Sequence, residues 1–322
     1  MNYLSVGNIA CDVLATASPQ QKKSMRRIYL QSLICCLGGD ALNSAVDAAA
    51  MGQHARLIGC VGQDLFGREI LERLRQTGVD CSMLRIDARV PTSVSHYMVE
   101  PDGEKSGALY RPGGNEALCE ADVPDEALAW ADHLHLGSPM IQDSLDGGGN
   151  AVLLRRAKQF GVTTSMDLVY DQDEIWLPKI EEALHWCDIF IPSDYEVSKV
   201  CKTENLQDIK AFFRPYGLKV FGVKLGKRGV FLTDFQQDFL IPSAYTGMPT
   251  ETLGAGDAFF AAFNVAWHNG EGLYRSAVIG SCASACVLGN YGASTGMTDY
   301  AQLTAMADQF EKRLSEANNE VF

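Results

Sequence analysis

An α/β fold is the class this sequence predicts: a mostly parallel sheet covered by helices on both faces, carrying a small separate β-sheet. Three observations predict it. From Asp122 onward, short apolar stretches of strand length alternate with helical stretches, the pattern of parallel βαβ units in a three-layer sandwich. Two glycine-led stretches, Gly38–Gly39 and Gly254–Gly256, open helix-like runs with an acid in the first turn. Two segments, Ala15 to Leu37 and Ser93 to Tyr110, interrupt the pattern.

Taken in order, Tyr3 to Val6 is a short apolar strand ending at Gly7 and Asn8, with Asp12 just beyond. Ala15 to Leu37 is an excursion, polar and basic at PQQKKSMRR and then apolar. After Gly38, Gly39 and Asp40, the residues Ala41, Leu42, Ala45, Val46 and Ala49 form one helix face, with Asn43 in its first turns. His54 to Val61 reads as a strand and Gly67 to Thr77 as an amphipathic helix. Ser93 to Glu100, the turn Pro101-Asp102-Gly103 and Ser106 to Tyr110 make a hairpin by turn chemistry. The hairpin and the excursion are expected to pair as a lid over the main sheet.

The later strands are His133 to Leu136, Thr163 to Leu168, Ile189 to Ile191, Lys219 to Leu225 and Gly229 to Thr233. Helices Gly149 to Phe160, Trp176 to His185, Tyr195 to Cys201 and Leu206 to Tyr216 separate them. Gly272 to Leu288 and Asp299 to Ala317 close the chain as helices. Ligands of such sheets bind at the carboxyl ends of strands. Asp12, Ser193, Gly226 and the Gly254 loop are expected there.

The 322 residues are 47% hydrophobic and 21% charged, enough for one large α/β domain or two smaller ones. A net charge of −13 argues against nucleic acid or an anionic membrane as the main partner. It leaves room for a phosphate ligand, which local N–H groups and a metal can hold. The ten cysteines are scattered and form no C-x-x-C pair, so reduced thiols in a cytoplasmic protein are expected. The N-terminus lacks a basic run before its apolar residues, and no apolar run reaches membrane-span length.

The stretch TLGAGDAFFAAF, Thr252 to Phe263, carries the chemistry. Its glycines allow close approach of backbone to a ligand. Ala258, Phe259, Ala262, Phe263 and Ala266 fall at helical spacing. Free N–H groups at a helix start beside Asp257 make an anion site with a base. Alone, the stretch reads more readily as an ordinary acidic first turn. The Rossmann fingerprint fails because Phe259 stands where a third glycine belongs, and no P-loop occurs. His133 and His135 share a strand face without a third ligand, and Cys282 and Cys286 lie one helical turn apart. Both pairs read as packing residues.

Several stretches together resemble the ribokinase-like (PfkB) sugar kinases: TLGAGDAFFAAF, GGDALNSAVDAAAMG at Gly38 to Gly52, VKLGKRGV at Val223 to Val230, and CDIFIPSDYEVSKV at Cys187 to Val200. With Asp12 they lie in the family's order over nearly the whole chain. The resemblance implies a single ribokinase-like domain over residues 1–322, its lid formed by about 15–37 and 91–112. It implies transfer of the ATP γ-phosphate to a sugar hydroxyl, with Mg2+. Asp257 matches the general base, and Gly254, Ala255 and Gly256 the anion hole. Asp12, Gly38, Gly39, Asp40 and Asn43 match sugar-holding positions, and Arg111 reaches the sugar from the lid. Lys224, Gly226 and Gly229 match the phosphate and ribose side of the nucleotide, and Ser281 and the Gly292 loop the adenine side. Glu196 matches the acid of an N-x-x-E motif that holds the metal through water, with Ser193 in place of the asparagine. Glu251 replaces an aspartate that helps bind a monovalent cation such as K+, and Leu253 replaces a threonine. Lid edges in this family often pair between chains, which implies a homodimer through the lid, with a monomer whose hairpin is capped as the alternative. A nucleoside kinase of the same fold and a catalytically weak sugar- or nucleotide-binding regulator are the alternatives.

Overall fold

The computed structural model describes residues 1–17, 29–99, 105–110 and 113–319. Its strands are β1 (Asn2–Gly7), β2 (Ala10–Ala17), β3 (Leu30–Gly38), β4 (His54–Ile58), β5 (Cys60–Gly62), β6 (Arg85–Asp87) and β7 (Val94–Val99). They continue as β8 (Lys105–Tyr110), β9 (His133–Gly137), β10 (Thr163–Met166), β11 (Ile189–Phe190), β12 (Val220–Lys224), β13 (Val230–Thr233) and β14 (Asp238–Ile241). The main sheet has eight strands in the order β14-β13-β12-β11-β10-β9-β1-β4. From β4 to β12 every pairing is parallel.

The last two strands depart from the expected parallel pattern. Only a tight turn, Gly226–Arg228, separates β12 from β13. Without a crossover helix the return must be antiparallel, and β12–β13 and β13–β14 both are. The strand expected over His54 to Val61 also divides. It breaks at Gly59, where the Ile9 side chain lies against the backbone, and β5 pairs with β6 in a sheet of its own.

A second sheet of four strands runs β3-β2-β7-β8. Its β7–β8 hairpin is antiparallel, and β7 joins β2 in parallel register. This sheet begins at Ala10, earlier than the excursion expected from Ala15. Asp12 therefore sits within β2, opposite Cys36 and Ser95, and not in a loop past the end of β1.

Helices cover both faces of the main sheet. Gly148–Gln159, Leu177–Leu184, Asp194–Cys201 and Leu206–Phe213 lie on one side, where Phe190, Phe213 and Phe221 pack together. Ala255–His268, Gly272–Val287 and Tyr300–Asn319 lie on the other. Every residue from Ala258 to Ala266 is buried. A helix apolar on all sides belongs inside a protein, and each buried phenylalanine in it contributes about 2 kcal/mol. That burial fixes the helix which carries Asp257. Among the described residues no helix is long and apolar enough to cross a membrane.

Candidate active site

Asp257 lies in the first turn of the helix Ala255–His268. Gly254 is the N-cap, at φ 73, and no side chain caps the helix. A Cβ at Gly254 would stand 2.1 Å from the Ala293 carbonyl, so both the positive φ and the close backbone approach demand glycine. The first N–H groups of the helix, with its dipole behind them, are left without a side-chain acceptor. Asn43 Nδ2 donates to Asp257 Oδ2 at 2.7 Å, across 214 residues of chain. Burial raises the Asp257 pKa above the ordinary carboxylate value, while Asn43 and the Lys224 charge pull it back.

Lys224 ends β12 and faces this helix start. Its Nζ lies 3.1 Å from the place a Gly256 Cβ would take. It is held by Asp167, just past β10, in a short ion pair. Burial works against the Lys224 charge, but Asp167, Glu196 and Asp257 outweigh it and raise its pKa. Burial pushes Asp167 up to about 7 against the pull of Lys224. Asp167 was not singled out from the sequence. The expected strand Thr163 to Leu168 contains it, but β10 ends at Met166, which puts Asp167 at the strand end where ligands of such sheets bind.

Ser193 and Glu196 form a reciprocal cap on the helix Asp194–Cys201. Ser193 N donates to Glu196 Oε2 at 2.7 Å, and Glu196 N donates to Ser193 Oγ at 3.3 Å. Burial raises the Glu196 pKa, opposed by Lys224 and by the Ser193 groups. Among the described residues, no three His, Cys, Asp or Glu side chains converge as a metal cage. Magnesium needs none, since it keeps waters and binds one or two carboxylates together with phosphate oxygens. Glu196 and Asp167, hard oxygen donors flanking Lys224, fit that demand.

The other side of the site is polar. Asp40 opens the helix Asp40–Ala50 behind the N-cap Gly39, and accepts from the Ser138 hydroxyl. Burial, then the charges of Asp257 and Asp167, push Asp40 well above the usual carboxylate range, against the Ser138 hydroxyl and Lys224. Asp12 accepts from Ser95 Oγ across the small sheet. Its carboxylate lies over Gly38, where a Cβ would come within 2.2 Å of Oδ2. Asn115 Oδ1 accepts from Ile9 N at 2.9 Å, and its Nδ2 donates to Asn8. Sequence reasoning missed Ser95, Asn115 and Ser138, whose residue types carry no signal by themselves. Arg111 lies outside the described residues.

The remaining expected residues are spread more widely. Gly226 faces open space in the β12–β13 turn. A side chain at Gly229 would strike the Ile241 carbonyl at 1.9 Å, so this glycine seats β13 against β14. Ser281 Oγ accepts from Ala244 N at 2.9 Å and donates to the Pro242 carbonyl, which ties down the chain after β14. Glu251 is buried and accepts from Gly292 N at 2.8 Å. His133 and His135 both bond the Ser165 hydroxyl, at 2.8 and 2.9 Å, and burial holds both below the ordinary histidine pKa.

The family model described as pfkB family carbohydrate kinase matches residues 5–299. An ATP-dependent ribose-1-phosphate kinase of Halopiger xanaduensis is 28% identical over 277 residues, covering 85% of this chain and 88% of that protein. A nucleoside kinase of Methanothermobacter thermautotrophicus is 25% identical over 302 residues, covering 92% and 93%. The structure of Arabidopsis thaliana ribokinase complexed with ribose and ATP superposes with a TM-score of 0.80 at 26% identity, covering 95% of this chain and 98% of that one.

Proposed function

The chain belongs to the pfkB family of carbohydrate kinases, and from that premise we propose that it moves the γ-phosphoryl group of ATP to a hydroxyl of a small sugar or sugar derivative, with Asp257 as base. One observation carries the reading. Asp257, Asn43 and Lys224 come from three distant parts of the chain and meet at an uncapped helix N-terminus.

The roles follow from that geometry. Asp257 accepts the proton of the attacking hydroxyl, and Asn43 steadies its carboxylate. The N–H groups of Gly254, Ala255 and Gly256 and the Lys224 ammonium face the charge on the transferring phosphoryl group. Such transfer depends on positioning and electrostatics more than on covalent help. Gly226 and the segment tied by Ser281 flank the nucleotide. Glu196, through water, and Asp167 would hold a magnesium ion, which neutralises phosphate charge. Glu251 would hold a monovalent cation, and the Gly292 loop would lie on the adenine side. Asp12, Asp40 and Asn43 grip sugar hydroxyls, since carboxylates and an amide suit a polyol. The small sheet acts as the lid that excludes water. Exposed Tyr29, Leu30 and Leu33 at its β3 edge support pairing of two copies there.

A sugar fits better than a nucleoside because the Tyr97 ring is engaged in covering Gly107 on the next strand, so stacking on a base would compete with that contact. The side chain of Tyr110 lies outside the described residues. ADP release screened over neutral sugars, sugar acids, sugar phosphates and nucleosides tests the reading. One sugar class is expected to stand out. Asp257→Ala is expected to lower kcat by roughly 10²–10⁴-fold while nucleotide binding survives. Near-normal turnover in that variant would remove Asp257 from the role of base.

A further inference from the structure

Asn43 bonds one carboxyl group and shares a helix face with another. Its Nδ2 donates to Asp257 Oδ2 at 2.7 Å. Its Oδ1 is buried and meets no hydrogen-bond donor among the described residues. One helical turn further along, Asp47 is fully buried. Neither of its carboxyl oxygens makes a hydrogen bond among the described residues. Residues four apart share one helix face, with Cβ atoms about 5–6 Å apart. Two side chains on one helix face thus each carry orphaned oxygens in a place where unmet polar groups are costly.

A primary amide has one donor end and one acceptor end. The donor end of Asn43 is committed to Asp257, so its acceptor end remains for Asp47. Two acceptors facing each other repel, and a proton on one turns the contact into a bond. We propose that Asp47 is a positioning residue: as a neutral acid it donates its O–H to Asn43 Oδ1 and so locks the amide with its NH2 toward Asp257. The opposite polarity, with Asp47 ionised and the amide turned round, would set a carbonyl oxygen against Asp257. The base would then have to hold the proton itself.

The surroundings favour the first polarity. Burial pushes Asp47 well above the usual carboxylate range. The Ser294 hydroxyl, within reach of Asp47 but without hydrogen-bond geometry to it, pulls the other way, and the Asp257 charge adds to the rise. Ser294 is itself directed at the Asn43 backbone carbonyl, 3.4 Å away. Tyr3, the other titratable group against this face, keeps its proton through burial and bonds Ser44 at 2.6 Å.

The proposal rests on Asp257 being the base, and two measurements separate the two ideas. Infrared difference spectra at neutral pH, wild type against Asp47→Asn, are expected to show the carbonyl band of a protonated carboxylic acid in the wild type alone. Absence of that band overturns the proposal whether or not any sugar is phosphorylated. In kinetics on a phosphorylated sugar, Asp47→Ala is expected to lower kcat roughly ten-fold, the worth of one charge-assisted hydrogen bond. Its acid limb of kcat/KM moves to higher pH, because Asp257 loses a fixed donor. Asp47→Asn, which still offers an N–H, is expected to rescue both. Wild-type kinetics in Asp47→Ala, or an acid limb in Asp47→Asn shifted to lower pH by loss of a negative charge, overturns it. If no substrate is turned over, the kinase reading fails, and the infrared band still decides the state of Asp47.

Discussion

Asp257 stands on a helix whose residues Ala258 to Ala266 are all buried between sheet and neighbouring helices, whereas Asp12 stands on β2 of a four-stranded sheet outside the main one. The partners differ in the same way. Asp257 is held by Asn43, and beside it Lys224 is held by Asp167, all on elements of the three-layer body. Asp12 is held by Ser95, a neighbour within its own small sheet. On the proposed reading, the phosphoryl side is built on the three-layer body and the substrate side on the small sheet. Chemistry that needs a reacting geometry good to a fraction of an ångström belongs on the first mounting, and selection among substrates belongs on the second.

Breaking the rigid side should have the larger effect. Lys224→Ala leaves Asp167 buried without its counter-charge. Removing one partner of a buried pair costs about 3–5 kcal/mol, so chemical denaturation should show a loss of that order alongside loss of turnover. The double variant Asp167→Asn with Lys224→Met removes both charges. It is expected to recover most of the stability and none of the activity. If Lys224→Ala unfolds like the wild type, the ion pair contributes nothing to the body, and the contrast with the lid fails.

On the lid side the expected damage is smaller and of another kind. Asp12→Asn keeps the shape against Ser95 and removes one charged acceptor for the sugar. KM for the sugar is expected to rise roughly ten-fold, one charged hydrogen bond, with kcat changed far less and stability unaltered. A variant that loses kcat and keeps KM would make Asp12 part of the reacting geometry instead.

The same contrast decides what was legible in the sequence. The stretches at Gly38 and Gly254 announce themselves because glycines, an acid and a run of small residues each have a physical reason to occur together. The alternation of strands and helices after Asp122 was readable for a similar reason. Asp167 was not readable: it is one acid after an ordinary strand, and its importance comes from Lys224, 57 residues later. The placement of β2 was misjudged because Ala10–Ala17 runs on directly from the first strand, and only pairing with β7 separates the two sheets. The antiparallel return of β13 was implicit in the short turn at Gly226, which leaves no room for a crossover. Asp47 reads as a polar residue on a helix and would be assigned to solvent by type. It lies on the helix face it shares with Asn43, and both are buried.

That burial gives the smallest and most specific effect. The folded pKa of Asp47 lies above its unfolded value, chiefly through burial. Below the unfolded value, about pH 4, both states hold the proton and the contribution to stability is complete. As pH rises past that point the unfolded chain releases the proton and the folded chain does not, so stability declines until the folded pKa is reached. Asparagine carries no such proton. Asp47→Asn is therefore expected to match the wild type in urea unfolding below about pH 4, and to gain on it toward neutral pH. The gain should grow by about 1.4 kcal/mol per pH unit until the folded chain also releases its proton. Parallel curves for Asp47→Asn and wild type across the whole range would mean that Asp47 ionises freely in the folded protein. The amide of Asn43 would then have no fixed polarity to lend to the base.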